Sequence, residues 1–209
     1  MVRAGQLRFC LACLWVCAAA GCDPAPSAQD HVTVVGGLAG NPAVSGATGT
    51  RSGTGLEDGE LIAVALTMNT AQIEQNSVAV SRAQTTRVMA LAQRFVAMHM
   101  SAQDRENALL ARTTLMPLDN ATSAMLRTAS MEIVTRLQTS VGRGFDREYT
   151  GSETDAYRTA IDLIDQTLLP SCRSAAMSTE LATLRQELVG HWDEVREMRD
   201  VIVGEGTVL

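Results

Sequence analysis

Between residues 184 and 202, the residues of one predicted helix face recur at alternating steps of four and three. This spacing places them in one stripe along a single side of an α-helix, as the core of a helical bundle requires. A half-buried strand would alternate with a period of two, and no stretch of residues 56–203 does so convincingly. The region is therefore restricted to helix-on-helix packing. The stripe consists of Leu184, Leu188, His191, Val195, Met198 and Ile202.

Four further helical patterns precede this one. Pro117 and Pro170 each mark a boundary between two of the patterns, because proline ends or kinks a helix. Short links between long helices favour antiparallel neighbours. The predicted fold class is therefore all-α, an antiparallel four-helix bundle with one extra short helical segment. We predict helices over 56–82, 84–113, 146–169 and 178–203, and a shorter one after Pro117. Their expected buried faces are Ile62, Leu66, Ile73, Val80; Val88, Leu91, Phe95, Met98, Ala102; Leu126, Ala129, Ile133, Leu137; and Tyr157, Ile161, Ile164, Leu168.

The N-terminus has the pattern of a lipoprotein signal peptide over residues 1–21. A basic start precedes the twelve-residue apolar run 9–20, which is too short to span a bilayer permanently. The run ends in Ala-Ala-Gly-Cys, similar to a bacterial lipobox, in which the cysteine is acylated after cleavage. An ordinary secretory signal with a chance cysteine is the alternative, and the three small residues before Cys22 disfavour it. We expect lipid attachment at Cys22 and a position on the periplasmic face of the inner or outer membrane.

Cleavage before Cys22 would change the cysteine content and the charge. Three cysteines leave with the signal, Cys22 carries lipid, and Cys172 remains alone, so no intramolecular disulfide can form. Two of the 17 basic residues and none of the 23 acidic residues are removed, so the net charge becomes −8. An acidic surface argues against a nucleic-acid partner and against electrostatic docking on anionic lipid.

The remaining chain divides by composition. Residues 22–55, with the lipidated cysteine, are rich in Gly, Ser, Thr and Ala and predict a flexible tether. Such a coil would span roughly 30 Å. Residues 56–203 form the predicted helical domain, and residues 204–209 a tail. Nine methionines lie in the domain, where we expect them to fill gaps between helices.

Three stretches resemble the bacterial envelope family called domain of unknown function 4142. They are LAQRFVAMHMSAQ (91–103), VGRGFDREY (141–149) and LVGHWDEV (188–195). The resemblance covers about residues 58–200 and implies a ferritin-like bundle in the cell envelope, but no activity. It also implies inward positions, at which relatives tend to have Glu, Asp, His, His and His. Here these positions are Gln72, Met98, His99, Tyr157 and His191, and the middle stretch adds Phe145, Asp146 and Tyr149 as core positions.

His99 and His191 are the candidates for a metal site. Neighbouring residues fan around a helix at about 100° each, so Met98 and Met100 cannot join His99 on one ion. Ligands would have to come from other helices, with His191 and Glu194, Glu74 or Tyr157 as candidates. A ferritin-like di-iron site uses two Glu-x-x-His pairs, and the sequence contains none. The alternative is that both histidines are packed, hydrogen-bonded core residues.

Other catalytic patterns are missing from the predicted helical domain. Residues 56–203 contain no Gly-rich phosphate loop, G-x-S-x-G or C-x-x-C motif, and we predict no catalytic residue. The C-x-x-C at residues 10–13 lies within the predicted signal peptide. Asp146, Glu148, Glu153 and Asp155 are interpreted as a solvated cluster at a helix start, with Asp146 capping that helix. Phe145 and Tyr149, four residues apart, are expected to pack on one face.

The leading hypothesis is a non-enzymatic envelope lipoprotein with a structural, interaction or stress-related role and an envelope protein partner. The alternative is a metal-binding or redox bundle that uses His99 and His191 with a transition metal. Helices that open onto lipid form a third hypothesis, which the acidic polar faces disfavour.

Overall fold

The computed structural model describes residues 55–205, and within that range every regular element is a helix. The all-α class is therefore confirmed for this part of the chain. The predictions about residues 1–54 and 206–209 lie outside the described residues. None of the helices between residues 55 and 205 has the length and apolarity needed to cross a bilayer. The helices are α1 (Asp58–Arg82), α2 (Thr86–Arg112), α3 (Ala121–Thr139), α4 (Arg143–Leu163), α5 (Leu169–Ser171) and α6 (Ala175–Glu205), with a π-helical turn (Ile164–Leu168) between α4 and α5.

Local capping explains where three of these helices begin. Glu57 and Glu60 form a reciprocal capping box at the start of α1. The Thr85 hydroxyl accepts a hydrogen bond from the amide of Val88 at the start of α2. Asn120 caps α3 in the same way, since its side chain accepts from the amide of Ser123.

Helix α1 lies against both α2 and α3, while α4 packs along α6. Helix α2 also touches α6, which joins the two pairs around a shared core. The larger apolar cluster includes Leu61, Phe95, Tyr157, Leu184 and Leu188. A smaller cluster at one end contains Phe145 and Tyr149, which confirms that these two side chains pack on one face. Helix α3 buries only Ser123, Ser130 and Leu137, so it lies on α1 as a peripheral helix.

The predicted face of α6 is confirmed, but two other faces are corrected. On α2 the inward residue is His99, whereas Met98 is 38% exposed and does not occupy a core position. The stripe therefore runs through Phe95, His99 and Ala102. On α1 the predicted line through Leu66, Ile73 and Val80 is only half-buried. In the second half of α1 the polar residues Gln72, Gln75 and Asn76 are buried in their place.

Helix α4 begins three residues earlier than predicted, and the π-helical turn and α5 continue the helical run to Ser171, past the predicted end at Leu169. Gly142 precedes it with a φ of +56°, a conformation that glycine adopts easily. The helix reaches Pro170 through the π-helical turn, in which the amide of Leu169 bonds the carbonyl of Ile164. Pro170 has no backbone N–H to donate to the preceding turn, and the helical run ends one residue later, at Ser171.

The methionines do not all fill the core. Met68 and Met177 are buried, as expected. Five others are exposed: Met98, Met100, Met116, Met125 and Met131. The peripheral position of α3 accounts for Met125 and Met131, whose helix contacts the rest of the domain along a narrow line.

Candidate functional site

The interior of the domain contains a line of polar side chains on α1. Asn69, Gln72, Gln75 and Asn76 are all buried. Their spacing of three and four residues puts them on the side of α1 that faces the other helices. A helix whose buried side is polar must find its hydrogen-bond partners within the protein. These side chains therefore define the candidate site, which we call the polar core.

His99 lies at the centre of the polar core with both ring nitrogens bonded. Nδ1 is 2.8 Å from Oδ1 of Asn69, and Nε2 is 3.1 Å from the Tyr157 hydroxyl. The Asn69 amide nitrogen donates to Oε1 of Glu106 at 2.8 Å, so its oxygen must accept from His99. His99 is then the Nδ1–H tautomer, and its Nε2 accepts the proton of Tyr157.

These bonds agree with a neutral imidazole. Burial, and then the neighbouring His191 ring, lowers the pKa of His99 to about 3. Both hydrogen bonds suit the uncharged ring, because one nitrogen donates and the other accepts. His99 is thus neutral at physiological pH and is not available as a general acid there.

Glu153 is completely buried on α4, next to the polar core. Neither carboxylate oxygen has a hydrogen-bond partner of ordinary geometry among the described residues. Burial raises the pKa of Glu153 to about 8, against the smaller opposing effects of the nearby Tyr157 and Asn76 side chains. Because Tyr157 has a single hydroxyl proton and His99 accepts it, none is left for Glu153. The carboxyl group is accordingly protonated near neutral pH.

His191 completes a cluster of rings with Phe95, His99 and Tyr157. Its ring centroid lies 4.8 Å from that of Phe95, 5.1 Å from His99 and 5.5 Å from Tyr157. Neither ring nitrogen has a hydrogen-bond partner among the described residues. Burial lowers the pKa of His191 to about 4, although Glu194 acts in the opposite direction. His191 is therefore a neutral ring that packs like an aromatic residue.

A second arm of the polar core runs from α4 to α1. The Tyr149 hydroxyl donates to Oδ1 of Asn76 at 2.6 Å. The Asn76 amide nitrogen donates in turn to the backbone oxygen of Gln72 and, at 3.2 Å, to its side-chain oxygen. This arm ties the smaller apolar cluster to the centre of α1.

The opposite end of the polar core reaches a charged edge. Glu106 is buried, and burial followed by the nearby Glu180 carboxylate raises its pKa to about 8. Arg105 bonds Glu180 at 3.2 Å and Glu187 at 2.6 Å, linking α2 to α6. Glu106 thus lies behind an ion-pair network. With a pKa of about 8, its carboxyl group is mostly protonated, and therefore neutral, near pH 7.

The four acidic residues at the start of α4 do not form the solvated cluster that we expected. Asp146 and Glu153 are buried, while Glu148 and Asp155 are the accessible members. Asp146 does not cap its own helix: its two oxygens accept from the amides of Gln84 and Thr85, at 2.8 and 3.0 Å. It thereby holds the connection between α1 and α2, which spacing within one helix could not predict.

The structure brings together some of the expected partners of His99 and separates others. Tyr157 and His191 contact it. Glu74 is exposed on the far side of α1, and Glu194 pairs with Arg94 at 2.6 Å.

Cys172 is half-buried and its thiol donates to the carbonyl of Ser174.

The donor set does not suit a transition metal. Both nitrogens of His99 are already engaged, and binding an ion through either would leave Asn69 or Tyr157 without its bond. Among the described residues, no three His, Cys, Asp or Glu side chains come close enough to share an ion. A closed zinc site has four ligands, and oxygenase iron sites use at least three. The histidine pair alone falls short of either.

Comparison with known families agrees with the three stretches named above. A family model, domain of unknown function (DUF4142), matches residues 43–198. The chain belongs to the DUF4142 family. No curated protein and no solved structure matches it. Three DUF4142 positions carried over from the resemblance, Gln72, Tyr157 and His191, lie with His99 in or beside the polar core, whereas Met98 lies outside it.

Several polar-core residues were not predicted, although the sequence carries a signal for them. Glu106 follows Phe95, His99 and Ala102 at steps of four, three and four, the same spacing as an apolar stripe. Asn69 and Asn76 flank Gln72 at three and four residues. A polar residue that keeps step with a buried stripe indicates a buried hydrogen bond, and this criterion would have identified them.

Proposed function

We propose that the chain is a lipid-anchored protein of the bacterial cell envelope whose helical domain has a non-catalytic role. The observation that carries the anchor is the sequence Ala19-Ala20-Gly21-Cys22 directly after an apolar run of signal-peptide length. Acylation of Cys22 with two or more chains gives a stable membrane attachment, which a single chain does not. Residues 22–55 act as the tether between membrane and domain.

The domain is, in this proposal, a ferritin-like four-helix bundle made of α1, α2, α4 and α6. Pairing of α1 with α2 and of α4 with α6 supports it, as does the core that these helices share. Helix α3 is the extra segment, since it buries few side chains of its own. The role is structural, interaction-based or stress-related and is exercised through an envelope protein partner.

The state of the polar core supports a non-catalytic role. Its histidines are neutral and its two buried glutamates have raised pKa values, near 8. His99 uses both nitrogens for bonds within the protein, and the Asn76 and Tyr149 side chains bond each other. Side chains that are hydrogen-bonded to one another in this way fix the orientation of the helices that carry them.

The metal-binding alternative rests on the 5.1 Å separation of the His99 and His191 rings. The unbonded nitrogens of His191 are the one feature that favours it. The engaged nitrogens of His99 weigh against it, and we therefore rank it second.

The anchor is tested by expressing the full chain in a bacterial host and labelling with an alkyne analogue of palmitate. We expect label on the wild type and on a Cys17→Ser variant, and none on Cys22→Ser. Mass spectrometry should find Cys22 as the acylated first residue. Label that persists in Cys22→Ser, or a mature chain that starts elsewhere, would refute the proposal.

A further inference from the structure

A cleft of about 380 Å³ lies between α3 and α4, with α1 at its base. Leu126 and Ile133 of α3 form one wall, and Ala156 and Ala160 of α4 form the other. The cleft exists because α3 packs closely on α1 but only slightly on α4. Its volume falls at the lower end of the range of small-molecule sites, roughly 300 to 1,000 Å³.

Two amide side chains on the α1 side of the cleft have hydrogen-bonding capacity left over. The Gln72 side-chain oxygen accepts from Asn76, but its nitrogen donates to none of the described residues. The Gln75 nitrogen donates to the hydroxyl of Ser130, and its oxygen has no partner in this part of the chain. Both residues are more than nine-tenths buried. One spare donor and one spare acceptor therefore lie a single helical turn apart.

The other polar residues in the wall are already committed. His99 and Asn69 line the cleft, but they bond each other, Tyr157 and Glu106. A ligand would thus meet the two glutamines without having to break the polar core. The Gln72 nitrogen is free to donate and the Gln75 oxygen is free to accept, so a matching group should both accept and donate.

Charges around the cleft are balanced. Arg136 is paired with Glu148 at 2.8 Å, and Arg147 and Asp155 contribute one charge of each sign. The interior groups are amides, a hydroxyl and the neutral His99 ring. Such surroundings favour an uncharged ligand, because a buried ion would have no partner of opposite sign.

We propose that this cleft binds a small neutral molecule with an apolar body and one carboxamide or hydroxyl group. The apolar body packs between Leu126, Ile133 and the alanines of α4. The carboxamide or hydroxyl bonds the Gln72 nitrogen and the Gln75 amide. This site goes beyond the proposed anchor and structural role, and it does not depend on either of them.

Three probes of similar shape test the proposal: 2-naphthamide, the anion 2-naphthoate and 2-methylnaphthalene. The full chain is titrated in detergent, and binding is followed through the methyl NMR signals of Leu126 and Ile133, so that uptake of probe by micelles does not count as binding. We expect 2-naphthamide to shift these signals saturably and to bind at least fivefold more tightly than the other two.

Variants assign the binding to the cleft. Gln72→Leu removes the spare donor at similar volume and should weaken 2-naphthamide binding roughly five- to tenfold, the effect of one hydrogen bond. Glu74→Gln, on the exposed side of the same helix, is the matched control and should change nothing. Ala129→Phe, at an exposed position that lines the cleft, should abolish binding of all three probes by filling it.

Several results would overturn the proposal. They are equal affinity for amide and anion, absence of saturable shifts with any probe, and undiminished binding in Ala129→Phe. If Gln72→Leu does not fold, Ala129→Phe and the comparison of probes still decide the matter.

Discussion

At the scale of single residues, the hydrogen bonds of the polar core depend on which group accepts the hydroxyl proton of Tyr157. The Tyr157 hydroxyl has two possible acceptors, His99 and Glu153, and the Asn69 bond to Glu106 orients the His99 ring so that it takes the proton. Glu153 is then left as a buried carboxyl group that is stable only when protonated. Two histidines and two glutamates are held neutral in this way, each by burial.

This charge state predicts an unusual dependence of stability on pH. The pKa values of Glu106 and Glu153 rise from 4.5 to about 8 on folding, so the folded state binds more protons and loses stability as pH rises towards and through 8. The pKa values of His99 and His191 fall from 6.5 to about 3 and 4, so their contribution is lost as pH falls below 6.5. Between about pH 4.5 and 6.5 the two effects oppose each other.

We therefore expect the free energy of unfolding, measured by urea denaturation across pH 4 to 9, to be highest between about pH 4.5 and 6.5. Glu153→Gln keeps the neutral form at every pH and should reduce the alkaline decline. Glu74→Gln, which changes an exposed carboxylate, is the control. Stability that increases from pH 6 to 9 would contradict the assigned charge states.

The two histidines should respond in opposite directions to the same substitution. His191→Leu removes two buried nitrogens that lack partners and should raise the free energy of unfolding by about 1 kcal/mol. His99→Leu leaves Asn69 and Tyr157 without their bonds and should lower it by roughly 2–4 kcal/mol. Urea denaturation at pH 6 measures both. Equal losses in the two variants would show that His191 has a partner of its own.

At the scale of helices, connections are held by side chains from distant elements. Asp146 on α4 accepts the amides of Gln84 and Thr85, which would otherwise be unsatisfied at the start of α2. The corner between α1 and α2 therefore depends on α4. Arg82 adds a second link, because it bonds the carbonyl of Ser140 at the end of α3.

Asp146→Ala should accordingly destabilise the domain by about 3 kcal/mol, since it removes two bonds to a buried carboxylate. Asp155→Ala, nine residues further along α4 on its exposed side, is the matched control and should change stability by less than about 0.5 kcal/mol. Thermal or urea unfolding of the two variants gives the comparison. A small effect of Asp146→Ala would mean that the corner is held by packing alone.

The sequence was sufficient to predict the helices but not the direction of every side chain. Spacing and prolines located α2 and α6 to within a few residues, because apolar periodicity reports the helix itself. The choice between Met98 and His99 as the inward residue depends on rotation of the helix by one residue, and hydrophobicity favoured the wrong one. Hydrogen bonds such as Asp146 to Thr85 join residues 61 apart, and no local pattern encodes them.

At the scale of the whole molecule, the described helices combine a largely apolar core with a polar network that joins α1 to α2 and α4. Buried networks of this kind cost stability where a member lacks a partner and define a unique arrangement where all are satisfied. In this protein α1 is the centre of the network, while α3 lies at the edge of the core and leaves a cleft beside it. The family match over residues 43–198 includes most of the described helices, and the proposed lipid anchor would place them at a membrane.

The central claim is that the histidines belong to a polar core and not to a metal centre. Elemental mass spectrometry of the full chain, extracted in detergent and purified without an affinity tag or chelator, tests it most directly. A His99→Ala, His191→Ala double variant is the comparison. We predict far less than one transition-metal ion per chain in both proteins. Near-stoichiometric metal in the wild type that disappears in the double variant would contradict the account.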